Sequence, residues 1–162
     1  MKKYIGIVLV ILFGMSHTMS ATNKVHVEKF AWYKLLRNSK TDTTYVLNFW
    51  ATWCMPCIEE LPVFEDINKK FTNEKVKVIL VSLDHIKKMD ITLQPYIDKK
   101  GITTEVVLLN EPDFNSWIDL VDKKWEGSIP CTVIFNTSKK FYQLIERQVS
   151  EQELEEIIQS LK

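Results

Sequence analysis

Val76 to Leu83 reads VKVILVSL, and of its eight residues only Lys77 and Ser82 are polar. A strand with one wet face alternates, so a run this continuous belongs to a strand covered on both faces. Covering both faces of a sheet takes helices, and the chain supplies them in alternation with further strand signals. Thr44–Trp50 is rich in β-branched and aromatic residues and predicts a second buried strand. Between these two strands, Pro56–Phe71 carries Ile58, Leu61, Phe64, Ile67 and Phe71 at spacings of three and four. That is the apolar face of a helix, with Pro62 inside to kink it.

The remaining elements follow from the same reading. Val25–Val27 predicts a short first strand and Phe30–Arg37 a helix. Asp90–Lys100 predicts a helix stopped by Gly101. Glu105–Leu109 predicts a strand, and Asp113–Trp125 a helix with Phe114, Trp117, Ile118 and Val121 on one side. Thr132–Phe135 and Phe141–Glu146 form a hairpin around a polar turn at Asn136–Lys140. Ser150 to Glu153 is a capping box opening a last helix, whose apolar face is Leu154, Ile157, Ile158 and Leu161. The order predicts an α/β domain over residues 24–162, its central mixed sheet mostly parallel with an antiparallel edge and flanked by helices.

Residues 1–21 are a separate object. Lys2 and Lys3 precede a ten-residue apolar run, Ile5–Gly14, and a small, mildly polar stretch to Ala21. This is the layout of a secretory signal peptide, and the run is well short of the roughly 20 residues that span a bilayer. The absence of an A-x-A cleavage site keeps an uncleaved membrane anchor open. Either reading puts the rest of the chain outside the cytoplasm.

With 21 basic and 21 acidic residues and no basic stripe, the sequence offers nucleic acid nothing to hold. The three cysteines are another matter. Cys54 and Cys57 sit where the strand ending at Trp50 gives way to the helix starting near Pro56. Unpaired N–H groups and the helix dipole favour a thiolate there, so Cys54 is expected to ionise below the free value of about 8.5. Cys54 is expected to be exposed and to attack a partner disulfide, and Cys57, one turn inside, to resolve the mixed disulfide. Pro56 occupies the first turn, where its missing N–H costs nothing. A purely structural disulfide is the other reading, although so tight a ring seldom staples a fold. No second C-x-x-C or H-x-x-x-H exists and His26 and His85 are isolated, so no metal and no cofactor is expected.

The run Asn48-Phe49-Trp50-Ala51-Thr52-Trp53-Cys54-Met55-Pro56-Cys57 resembles the active-site segment of thioredoxin-fold proteins, and more narrowly the extracytoplasmic TlpA/ResA type of thiol–disulfide oxidoreductase. Glu60-Leu61-Pro62 is similar to that family's acidic residue and helix-kinking proline, and Val81-Ser82-Leu83-Asp84 to the end of its next strand. Gly127-Ser128-Ile129-Pro130 before Thr132-Val133-Ile134-Phe135 resembles its cis-proline loop and following strand. The resemblance implies a thioredoxin-like fold with a helix and strand inserted between a βαβ half and a C-terminal ββα half. It implies Pro130 as the cis-proline against the disulfide and Ile129 as the residue whose backbone pairs with the partner's chain. It also implies a disulfide-containing client, with the cysteines of apocytochrome c as the family's best-known case, and a membrane thiol electron donor.

Two departures bear on mechanism. Cytoplasmic thioredoxins carry a buried Asp at the position of Asn48, which cannot titrate, so the proton of Cys57 must go elsewhere. Glu60 is a candidate acceptor, with surface exposure of Glu59 and Glu60 on the helix the blander expectation. Met55 and Cys131 stand where some relatives carry Glu. Cys131 is read as a small buried strand residue, with an alternative disulfide to the active site as the sharper hypothesis. Trp53 is expected to shape the partner surface, and Trp32, Trp50, Trp117 and Trp125 to lie in the core. Met55-Pro56 lacks the histidine of strong oxidants, which favours a reductant; an oxidase or isomerase, or a binding domain without activity, are the alternatives. The protein is read as an exported, periplasmic monomer.

Overall fold

The computed structural model describes residues 23–162. The segment read as signal peptide or anchor, residues 1–21, lies outside them. The chain runs β1 (His26–Glu28), α1 (Ala31–Asn38), β2 (Thr44–Trp50), α2 (Met55–Lys70) and β3 (Val76–Ser82). It continues through α3 (Gln94–Lys100), β4 (Glu105–Leu109), α4 (Ile118–Val121), β5 (Cys131–Asn136), β6 (Phe141–Ile145) and α5 (Glu151–Ser160). The six strands form one sheet in the order β1-β4-β3-β2-β5-β6. The first four are mutually parallel, and β5 and β6 run antiparallel to their neighbours. This is the thioredoxin-like architecture implied by the motif, with α3 and β4 inserted between its two halves.

β2 and β3 lie at the centre because their residues tolerate burial on both sides. Alternation then splits the core. Val46 and Trp50 face the layer of α2, α3 and α5 together with Leu61, Phe64 and Ile97. Leu47 and Phe49 face the layer of α1 and α4 together with Tyr33, Trp117 and Val133. Asn48 shares the first face with Val46 and Trp50, which aims it at α2. The register opposes Asn48 to Thr132 and Phe49 to Cys131 across the β2–β5 ladder.

Three expectations need correction. β1 lies one residue later than Val25–Val27. The helix expected over Asp90–Lys100 begins in α form only at Gln94, after a 3₁₀ turn at Ile86–Lys88 and a wide π-type turn at Met89–Leu93. Pro95 fits the first turn of α3, and Gly101 ends it at φ 64°. The helix expected over Asp113–Trp125 is only a 3₁₀ turn at Phe114–Ser116 and the four residues of α4. Eight residues of continuous helix would rise about 12 Å. Instead the rings of Trp117 and Trp125 meet at 5.7 Å, and their indole N–H groups donate to the carbonyls of Glu111 and Ser128. Burial of two large rings, each needing an acceptor, overrides the helical period. Of the tryptophans expected in the core, Trp50, Trp117 and Trp125 are buried there and Trp32 is half-buried.

Candidate active site

At the end of β2 the chain turns through Ala51–Trp53, and Cys54 becomes the N-cap residue of α2. Its Sγ accepts the N–H of Cys57 at 3.3 Å, so the sulfur occupies the place where an N-cap oxygen usually sits. Cys54 and Cys57 are joined as a disulfide, with Cα atoms 5.3 Å apart. Cys54 is 7% exposed and Cys57 fully buried, which corrects the expectation of an exposed first cysteine. Cys54 lies against the opposite wall, and the exposed residues of the turn are its neighbours Trp53 (69%) and Met55 (64%).

The opposite wall is the loop before β5. The Ile129–Pro130 peptide bond is cis, and the Ile129 carbonyl oxygen lies 3.8 Å from the Sγ of Cys54. The turn carrying the cysteines is fastened to β3. Thr52 donates to the Asp84 carboxylate through its N–H at 3.0 Å and its hydroxyl at 2.6 Å, and Ser82 donates to the same carboxylate at 2.9 Å. Asp84 was missed as a site residue in the sequence. Its signal is an acidic residue just past the carboxyl end of a central parallel strand, where open α/β sheets place their sites.

Behind the disulfide lies Glu60. The expectation of a surface glutamate holds for Glu59, but Glu60 is only 3% exposed. One helical turn past Cys57, it belongs to the same buried stripe as Leu61 and Phe64. Its Oε1 accepts from Asn48 Nδ2 at 2.7 Å and its Oε2 from Val149 N–H at 3.0 Å. Burial pushes the carboxyl above its ordinary range, and those two donors only partly offset it. Asn48 Nδ2 also donates to Thr132 Oγ1 at 3.2 Å. The segment after β6 closes the site. Gln148 donates to the Pro56 carbonyl at 2.8 Å, and Ser128, two residues before the cis-proline, donates to Glu146 at 2.6 Å.

The structure therefore brings together Cys54, Cys57, Trp53, Met55, Pro56, Ile129, Pro130, Asn48 and Glu60. It does not bring Cys131 to them. Cys131 is a free, fully buried cysteine packed on the α1 face of the sheet with Phe49 and Val133, whereas Cys54 and Cys57 pack on the α2 face. Burial, reinforced by the charges of Glu146, Asp122 and Glu60, pushes its thiol far up.

Among curated proteins, the thiol-disulfide oxidoreductase ResA of Halalkalibacterium halodurans is 24% identical over 116 residues, covering 72% of this chain and 61% of that protein. The thioredoxin-like protein YneN of Bacillus subtilis is 35% identical over 78 residues, covering 41% of this chain and 45% of that protein. The chain thus spans less than two thirds of the length of either relative. Among solved structures, StoA from Bacillus subtilis superposes with a TM-score of 0.56 at 23% identity, covering 72% of this chain and 82% of that one. The thioredoxin-related protein from Neisseria meningitidis serogroup B superposes with a TM-score of 0.63 at 20% identity, covering 78% and 89%. At these identities the structures establish the fold. The sequence pattern of the AhpC/TSA family matches residues 18–143, well over half of the chain, and the protein belongs to that family, with a thioredoxin-like fold.

Proposed function

We propose that this protein is an exported thiol–disulfide oxidoreductase that reduces disulfides of partner proteins through the Cys54/Cys57 dithiol. The observation that carries the reading is the asymmetry of the pair. Cys54 caps a helix start beside exposed Trp53 and Met55, while Cys57 is sealed in the core one turn from a buried carboxylate. In this reading Cys54, at the rim beside the exposed pair, meets the client and Cys57 follows.

The steps are as follows. The Cys54 thiolate attacks a client disulfide, forms a mixed disulfide and releases the first client sulfur. Cys57 then gives its proton to Glu60 and attacks Cys54 Sγ. The mixed disulfide breaks and the second client sulfur leaves with the bonding electron pair. The client gains two electrons and the enzyme is left as the disulfide seen here. Trp53, Met55, Pro56 and the backbone of Ile129 form the surface against which the client lies, with Pro130 behind the sulfur.

The direction of flow is supported by Met55-Pro56, which puts no cation beside the thiolate. The basic start and apolar run of residues 1–21 support export to the periplasm, by cleavage or with the segment kept as an anchor. A membrane thiol donor would restore the dithiol, and apocytochrome c is the client that the motif's resemblance suggests.

The Cys57→Ser variant tests this reading. It should accumulate mixed disulfides with clients in the native host, while the wild-type protein should catalyse insulin reduction and Cys54→Ser should not. No trapped partner together with no insulin reduction would leave only a binding domain. A reduction potential well above about −180 mV would turn the proposed reductant into an oxidase or isomerase.

A further inference from the structure

Asn48 is fully buried, and its two ends are treated unequally. Nδ2 faces two acceptors, Glu60 Oε1 at 2.7 Å and Thr132 Oγ1 at 3.2 Å, so both of its hydrogens are used. Oδ1 is buried with no donor among the described residues. Buried amide oxygens are ordinarily paired. Turning the amide over would set Oδ1 against the carboxylate and strand both N–H groups in the space now left to Oδ1. The idle oxygen is thus the consequence of aiming the donor end at Glu60. Thr132, directly opposite on β5, takes the second N–H of that end.

The other carboxylate oxygen is served in the same way. Val149 N–H takes Oε2, so each oxygen of Glu60 accepts from an N–H donor. A carboxylate accepts two N–H bonds better than a neutral carboxyl does, so this cradle favours the charged form. Cys57 lies one turn back on the same helix, and the charge of Glu60 is felt across the sheet at Cys131. No salt bridge reaches Glu60 among the described residues, and the donor from β2 is the neutral Asn48 amide.

We infer that Asn48 is a positioning residue for the resolving step: its amide, oriented by Thr132, holds Glu60 ionised in a buried site and so keeps it ready to take the proton of Cys57. This rests on Glu60 being the proton acceptor and assigns the control of its charge to β2 and β5. The proton leaves Cys57 Sγ for Glu60 as the sulfur's electron pair forms the bond to Cys54. The carboxyl then faces two N–H groups that disfavour its proton, which returns to solvent.

The test titrates the Glu60 side-chain carbon by NMR in the oxidised full chain. Alongside it, stopped flow follows the dithiol reacting with a nitroaryl disulfide, whose two coloured thiolates report attack and resolution separately. Asn48→Leu should raise the Glu60 midpoint by about one to two pH units, the weight of a hydrogen bond to a charge, and move the inflection of the resolving step with it. The attack by Cys54 should keep its profile. Asn48→Asp preserves shape if the leucine variant does not fold. There, two carboxyl groups would share one proton and the resolving step would gain a second inflection. Thr132→Val should shift the midpoint less, in the same direction. A Glu60 midpoint unmoved in the folded Asn48 variants overturns the inference. Should Glu60→Gln leave the resolving profile as in the wild type, the reading of Glu60 as acceptor fails instead, a result separate from any shift at Asn48.

Discussion

Helix α2 carries a buried glutamate, Glu60, and a half-buried one, Glu65, and they behave differently. Glu60 receives two N–H donors, from Asn48 and Val149. Glu65 receives three bonds, from Thr103 N–H at 3.0 Å, Thr103 Oγ1 at 2.7 Å and Thr104 N–H at 2.8 Å. Burial pushes both carboxyls up. For Glu65 the bonds from Thr104 and Thr103 outweigh it and settle the group below its usual range, while for Glu60 burial wins. The balance between desolvation and donors decides what a carboxylate is for. Oversupplied, Glu65 is a fixed charge that ties α2 to the turn before β4. Undersupplied, Glu60 keeps its carboxyl pKa raised, one helical turn from Cys57.

The sharpest way to break this contrast is to neutralise each group in turn. Glu60→Gln should slow the resolving step at pH 7 by about a hundredfold, the lower end of what a positioned proton acceptor contributes. Glu65→Gln should leave that rate alone. Equal losses in both variants, measured by stopped flow, would mean that neither has a special role.

Stability should reverse the order. Glu65→Gln removes the charge that three donors converge on and should cost about 2 kcal/mol in urea unfolding. The pH dependence separates the pair by sign. Glu65 has a lowered folded pKa, so its stabilisation is present above the unfolded value of about 4.3 and is lost as pH falls through the folded value. Glu65→Gln should therefore converge with the wild type in acid. Glu60 has a raised folded pKa, so stability falls as pH rises from about 4.3 through that value, and Glu60→Gln should gain on the wild type over the same window. Urea midpoints measured across pH would expose either sign as wrong. The smallest effect belongs to the exposed Arg147–Glu153 pair. Arg147→Gln should leave the melting temperature where it is, because a solvated ion pair of this kind contributes little; a clear drop would mean that the segment after β6 steadies Glu60 through Arg147 as well.

Much of this was legible from residues alone. The doubly covered β3, the long stripe of α2 and the cysteine pair at its start are local patterns, and local patterns survive folding. Glu60 shows how a local pattern can be misjudged. Beside Glu59 it looks like half of a solvated pair, yet it lies three residues after Cys57 and four before Phe64, on the stripe itself. A charged residue interrupting an apolar stripe is the mark of a buried charge. Asp84 was harder, because its partner Thr52 is 32 residues away and only the parallel pairing of β2 and β3 joins them. The broken helix at Trp117 was not legible at all, since its period is helical and only the meeting of Trp117 with Trp125 and Phe49 rules the helix out.

The two-faced sheet has a consequence for the third sulfur. Cys131 follows the cis-proline directly and is close in sequence to the redox pair's wall, yet the pleat turns it to the other side. In electrical terms β5 is an insulated wire. Its α2 side faces the cluster that holds Cys54 and Cys57, and its α1 side holds the free thiol. The two-electron cycle proposed for Cys54 and Cys57 would then run with the third cysteine facing the other layer of the sheet.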